Sequence, residues 1–155
     1  GGAAEAARIG DAQKCFKLVE DGAARLGLTC LQVRPGDARI FDKSLGTFDR
    51  ILCDVVCSGY GVIRRKPEIR YKDPAECDAL PQTQLAILAA SARYLTPGGR
   101  LVYSTCTLTP AENEGVVQQF LRETPGYALC GQPVTTLPRQ TAGDGFFYAV
   151  LERTE

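Results

Sequence analysis

The chain has 155 residues, 45% hydrophobic and 23% charged, with a formal net charge of zero. That length and balance fit one soluble, globular domain with a sizeable core. No apolar run approaches the roughly 18 residues of a membrane span and no signal peptide is visible; with no net positive charge, any nucleic-acid binding must come from a local basic patch.

The sequence holds no Met and reads as beginning inside a longer reading frame. Seven cysteines are present: Cys15, Cys30, Cys53, Cys57, Cys77, Cys106 and Cys130. The count is odd, no Cys-x-x-Cys occurs and there is no His, which argues against a disulfide framework and against a zinc or other metal site. Cys15, Cys30, Cys53, Cys77 and Cys130 read as small buried hydrophobes in a reducing cytoplasm.

From Asp11 to Leu26 the residues Cys15, Leu18, Val19, Gly22 and Leu26 recur at helical spacing, and Gly27 ends the helix. Leu31 and Val33 alternate with polar neighbours and predict a short strand before the Pro35-Gly36-Asp37 turn. Phe48 to Asp54 is nearly continuous in apolar character, as in a buried parallel strand. Pro81 opens a helix with Leu85, Leu88, Ala92 and Leu95 on one face, and Thr96-Pro97-Gly98-Gly99 stops it. Leu101 to Thr105 predicts another buried strand. Thr109-Pro110-Ala111-Glu112 reads as a capping box for a helix that buries Val116, Val117, Phe120 and Leu121. Phe146 to Leu151 predicts a last strand, with a weaker one at Val134 to Leu137 before it. Strands alternating with helices, then two strands in succession, predict an α/β domain with a mainly parallel sheet and an antiparallel hairpin at one edge.

In such sheets ligands bind at the carboxyl ends of the strands. Cys57 follows the strand ending at Asp54, and Cys106 follows the strand ending at Thr105. If the strands are neighbours, both thiols face one crevice with Asp54 beside them. Arg64, Arg65, Lys66, Arg70 and Lys72 follow Cys57 closely and can neutralise phosphates, or simply form a solvated loop. Tyr71 reads equally as a base-stacking residue or a core residue.

Several stretches resemble the Sun (Fmu) family of RNA 5-methylcytosine methyltransferases. They are Arg25-Leu26-Gly27-Leu28, Gly36-Asp37-Ala38-Arg39, Phe48 to Leu52 with Asp54 and Cys57-Ser58-Gly59, and Gly61 to Arg65 with Pro67. Leu101 to Cys106 with Pro110, Glu112, Asn113 and Glu114, and Gly143 to Ala149, complete the match. The resemblance is strongest to the bacterial branch that acts on small-subunit ribosomal RNA. It implies a Rossmann-like sheet that uses S-adenosylmethionine, with RNA as partner and ribosomal RNA favoured over transfer RNA. It implies that Cys106 is the nucleophile, that Cys57 helps release the product, and that Asp54 bonds the base or the cofactor. By the same resemblance Asp11 holds the cofactor ribose and Asp37 lies near its adenine. The position of Arg64, Arg65, Lys66 and Arg70 at the crevice mouth favours RNA contact, with the target base unstacked to reach the thiols.

Two departures from the family stand out. Its Asp-Ala-Pro-Cys is here Asp54-Val55-Val56-Cys57, which frees a backbone N–H and loosens the approach to Cys57. Its first strand and Gly-rich cofactor loop have no counterpart beyond Gly1-Gly2. The chain therefore reads as a single methyltransferase domain, 1–155, incomplete at its N-terminal side, with the first strands of the sheet lacking. Two other readings stay open: a non-catalytic remnant that binds RNA or a partner, and a thiol redox protein, the latter disfavoured by the missing Cys-x-x-Cys.

Overall fold

A computed structural model describes residues 9–138 and 143–155, with side chains from Phe16 onward. The chain divides into two compact units, Gly1–Asp37 and Ala38–Glu155.

In the first unit, helix α1 spans Ile9–Arg25. Gly27, at φ 69, ends it. Leu28 N–H donates to Ala23 O at 2.9 Å and Gly27 N–H to Ala24 O at 3.1 Å, the paired bonds of a Schellman cap. The helix is where its periodicity puts it, yet Leu18 and Val19 on its apolar stripe are exposed. The strand expected at Leu31 and Val33 does not form. Alternation supplies a strand's faces but not a neighbour for its N–H and C=O groups.

The second unit holds β1 (Phe48–Asp54), α2 (Leu80–Ala92), β2 (Leu95–Thr105), α3 (Glu114–Glu123), β3 (Tyr127–Leu129), β4 (Val134–Thr136) and β5 (Phe146–Arg153). The sheet order is β1-β2-β5-β3, with β4 also on β5. β1 and β2 are parallel, and β5 runs antiparallel to β2. β3 pairs Tyr127↔Arg153 to Leu129↔Leu151, and β4 pairs Val134↔Tyr148 to Thr136↔Phe146. The two therefore lie end to end along one edge of β5. This is the expected Rossmann-like α/β architecture with its antiparallel C-terminal hairpin, but the sheet is not mainly parallel as expected: among the described residues only β1 and β2 pair in parallel, because β5 returns between β2 and the β3–β4 edge.

Strand alternation sorts the side chains between the two faces. Cys53, Leu101, Tyr103, Phe147, Ala149 and Leu151 pack with Leu88, Val116, Val117 and Phe120 from α2 and α3. Each large apolar side chain buried this fully stabilises the fold by about 1.5–3 kcal/mol before entropy is counted. Tyr127 Oη donates to Ala92 O at 2.8 Å, and its ring meets Phe120 edge-on at 5.3 Å. These contacts tie β3 to the ends of α2 and α3.

Side chains that alternate to the other face of the sheet are less buried, and Leu52 is 71% exposed. Phe48 to Asp54 is a parallel strand, paired among the described residues with β2 alone, and only Cys53 in it is buried. Nor does Thr96-Pro97-Gly98-Gly99 stop the helix, since α2 already ends at Ala92. These residues form an irregularity inside β2, where Phe48 pairs with Leu95 but Arg50 with Arg100. Gly98, at φ 73, takes a backbone conformation that side chains resist.

Candidate active site

Parallel pairing of β1 and β2 carries both following loops to one end of the sheet. The last ladder pair is Asp54↔Ser104, and Val55 N–H extends it to Ser104 O at 3.2 Å. Just beyond, Cys57 Sγ and Cys106 Sγ lie 3.3 Å apart, though 49 residues separate them in sequence. Both thiols are free and half-buried. Burial, and then the adjoining Cys106 thiol, push Cys57 up to about 12, so Cys57 keeps its proton at neutral pH. Val56, standing where the motif has proline, leaves Cys57 within reach of Cys106. Its carbonyl accepts from Gln84 Nε2 at 2.9 Å, so a side chain of α2 holds the segment.

A buried polar network beneath the thiols joins the two loops. Ser58, next to Cys57, donates its N–H to Glu112 Oε2 at 2.9 Å and its hydroxyl to Glu112 Oε1 at 2.6 Å. Gln84 Nε2 also donates to Glu112 Oε2, at 2.9 Å. Thr107 Oγ1 shares a hydrogen bond with Ser58 Oγ at 2.7 Å. Thr105 Oγ1 donates to Asn113 Oδ1 at 2.6 Å, and Asn113 Nδ2 to Thr107 O at 3.1 Å. Tyr103 Oη donates to Glu112 O at 2.6 Å. Thr105 and Thr107 are fully buried and Cys106, between them, is half-buried. The two hydroxyls anchor the segment while the thiol stays accessible.

Backbone contacts add a third loop. Gly61 N–H donates to Cys106 O at 3.0 Å, and Gly145 N–H to Gly61 O at 2.9 Å. A Cβ on Gly61 would overlap the Gly145 carbonyl, so only glycine fits this crossing. Arg65 Nε forms an ion pair with Asp144 beside the same crossing.

The capping box read from Thr109 to Glu112 does not form. Helix α3 begins at Glu114, and Thr109 N–H donates instead to Thr107 Oγ1 at 3.3 Å. The Glu112 carboxylate, 2% exposed, goes to donors from Ser58 and Gln84, because a buried charge requires several good partners. Ser58, Gln84, Thr107 and Asn113 were likewise not foreseen as site residues. Ser58 and Asn113 stand in the stretches that match the family and Thr107 in the hydroxyl-rich flank of Cys106, whereas Gln84 carries no such signal.

Asp54 is exposed, and its Oδ1 accepts from Ser104 Oγ at 3.2 Å rather than from either thiol. Asp37 is exposed in the first unit. Asp11 and Cys15 have side chains outside the described residues. Arg64, Lys66 and Arg70 are exposed, whereas Arg65 is engaged by Asp144. Lys72 turns back and donates to Ser58 O at 3.1 Å. Tyr71 is 89% exposed and is not a core residue; Ile69 takes that place in the same 3₁₀ segment. Among the cysteines read as buried hydrophobes, Cys53 is buried, Cys77 and Cys130 are half-buried, and Cys30 is exposed. Cys30 lies outside regular secondary structure, in the segment after α1.

A cleft of about 280 Å³ lies beside this region, lined by Tyr60, Cys77, Asp78, Pro81, Thr109 and Glu112 among others. Neither Cys57 nor Cys106 lines it. Among the described residues no group of three or more His, Cys, Asp or Glu is placed to hold a metal ion, and no helix is long and apolar enough to cross a membrane.

The family described as 16S rRNA methyltransferase RsmB/F matches residues 5–152. The chain belongs to this family. It is 46% identical over 146 residues to ribosomal RNA small subunit methyltransferase B of Vibrio cholerae, covering 89% of this chain and 33% of that protein. It is 45% identical over 114 residues to the probable ribosomal RNA small subunit methyltransferase B of Bacillus subtilis, covering 72% of this chain and 26% of that one. The chain thus spans about a third or less of the length of these relatives. Among solved structures, PH0851 superposes with a TM-score of 0.84 at 30% identity, covering 88% of this chain and 34% of that one. NSun6 from Pyrococcus horikoshii, solved with SFG, gives 0.79 at 29% identity, covering 90% of this chain and 38% of that one.

Proposed function

We propose that this chain is the catalytic part of an S-adenosylmethionine-dependent methyltransferase acting on carbon 5 of a cytosine in RNA, with ribosomal RNA as its substrate. The observation that carries the reading is the Cys57–Cys106 pair, 3.3 Å apart at adjacent strand ends. Carbon 5 of cytosine is a poor nucleophile. Addition of the Cys106 thiolate to carbon 6 pushes electron density onto carbon 5, the atom that becomes methylated. Release then requires that water take the carbon 5 proton, whose bonding pair forms the carbon 5–carbon 6 double bond as the Cys106–carbon 6 pair returns to sulfur. Cys57, held protonated by burial and by its neighbour, donates a hydrogen bond to the departing Cys106 thiolate and stabilises it.

S-adenosylmethionine supplies the methyl group, carried on a sulfonium. Asp54 suits a polar ligand group at the end of β1: its carboxylate is exposed, with one oxygen engaged by Ser104. Asp54 would accept a hydrogen bond from the cofactor or the cytosine edge, and Asp11 and Asp37 would hold the nucleoside part. Arg64, Lys66 and Arg70 would meet phosphates of RNA whose target base has left the stack. Arg65 supports this surface through Asp144.

The test uses the whole protein that carries this segment. With S-adenosylmethionine and small-subunit ribosomal RNA, Cys106→Ala abolishes methyl transfer, and RNA containing 5-fluorocytosine traps a covalent adduct in the wild type. Cys57→Ala methylates but releases product slowly. Full methyl transfer by Cys106→Ala would sink the nucleophile assignment. Absence of S-adenosylmethionine binding by calorimetry in the folded protein would favour a non-catalytic RNA-binding role.

A further inference from the structure

We infer that Glu112 is a positioning residue that sets the spacing of the two thiols. This rests on the reading of Cys106 and Cys57 as the reacting pair. Glu112 touches neither sulfur. It lies in the segment that follows Cys106, and its carboxylate takes donors from the other two elements that frame the site. The Ser58 N–H fixes the peptide next to Cys57. Gln84 Nε2 joins α2 to the same oxygen, Glu112 Oε2, and bonds Val56 O on the other side of Cys57. Ser58 Oγ meets Oε1 and also bonds Thr107 Oγ1, one residue past Cys106. Cys57 is thus held on both flanks through Glu112 and Gln84, and Cys106 through the hydroxyl that the carboxylate orients. The side chains of Ser58, Gln84, Thr107 and Glu112 are each at most 2% exposed, so each relies on the others for its hydrogen bonds.

The two carboxylate oxygens face different partners, and this makes the role testable. Oε2 meets only N–H donors, from Ser58 and Gln84. Oε1 meets hydroxyls, from Ser58 and Thr107, which can rotate to accept instead of donate. A glutamine at this position can keep its carbonyl toward the N–H donors and its NH₂ toward the hydroxyls. The geometry therefore needs the shape and the acceptor at Oε2, not the charge. Glu112→Gln preserves the spacing and Glu112→Ala releases it.

The experiment uses the thiol pair as its own ruler, independently of methyl transfer. In buffers of glutathione and its disulfide, Cys57 and Cys106 lose two electrons and two protons and form an S–S bond. Glutathione disulfide takes both and becomes two glutathione molecules. The equilibrium constant reports how closely the sulfurs are held. We expect Glu112→Ala to lower it at least about tenfold, and to lower kcat for RNA methylation by about 10²-fold while KM for RNA changes little, the scale of a misplacement near 1 Å. Glu112→Gln remains within about threefold of wild type in both measurements.

Wild-type values in folded Glu112→Ala overturn the proposal. So does a Glu112→Gln variant as impaired as Glu112→Ala, since the charge and not the spacing would then matter. If Glu112→Ala does not fold, Gln84→Ala withdraws the α2 donor and gives the same test. It lowers both readings, and no change in either overturns the proposal. A lowered disulfide equilibrium constant in Glu112→Ala, in a protein whose wild type never methylates RNA, would refute the enzymatic reading and leave the positioning role standing.

Discussion

Replacing Tyr103 with phenylalanine isolates a single buried hydroxyl. Tyr103 is fully buried, and its ring meets Phe147 edge-on at 6.3 Å and 71°. Phenylalanine keeps that packing and leaves a void no larger than one oxygen. What disappears is the 2.6 Å bond from Oη to Glu112 O. A net hydrogen bond contributes about 1 kcal/mol, and a buried carbonyl left without its partner costs about 1–3 kcal/mol. The expected destabilisation is about 2 kcal/mol. For a chain of this size each kcal/mol moves Tm by about 2–4 °C, so Tm should fall by about 4–8 °C. The assay is thermal and urea unfolding of wild type and Tyr103→Phe in parallel, with an unchanged urea m-value confirming the same buried surface. A loss below about 0.5 kcal/mol would refute the reasoning: the carbonyl would have found another partner, and Tyr103 would contribute through its ring alone.

The same hydroxyl enters a pH prediction. Burial raises both Cys57 and Tyr103, so the folded chain holds these protons more tightly than the unfolded one. Their stabilisation is complete below the ordinary thiol value of 9.0 and declines as pH rises from there toward about 12 for Cys57. For Tyr103 it declines above the ordinary value of 10.0. Urea midpoints across this range should fall with pH, less steeply in Cys57→Ala; a flat profile contradicts the sign. Gly61→Ala forces a Cβ onto Gly145 O and should cost about 1–3 kcal/mol of stability, as overpacking against an unyielding backbone does; unchanged denaturant midpoints would show that the crossing yields freely. Arg64→Ala and Lys66→Ala should each reduce the dependence of RNA affinity on salt by about one counterion, as read from the slope of log K against log salt. An unaltered slope for both removes them from the RNA surface.

Local pattern and composition already determined much of this chain. The helical stripe ending at Gly27, the Pro81 start of α2 and the apolar runs of β1, β2 and β5 are dictated by short-range spacing, and the structure keeps all of them. The motifs around Cys57 and Cys106 also named the family from residues alone. What spacing could not decide was partnership. Leu31 and Val33 have strand alternation yet form no strand among the described residues, while Tyr127–Leu129, with little pattern, becomes a strand because β5 offers its edge. Glu112 is the plainest case. Its local context favours capping its own helix, but the donors of Ser58 and Gln84, 54 and 28 residues away, hold its carboxylate instead. A buried charge takes the partners that folding brings to it, and which partners those are depends on how β1, α2 and β2 pack together. The sequence by itself singled out Cys57 and Cys106. The tertiary structure decided that they lie 3.3 Å apart, because only the parallel pairing of β1 with β2 brings two loops so distant in sequence to one end of the sheet.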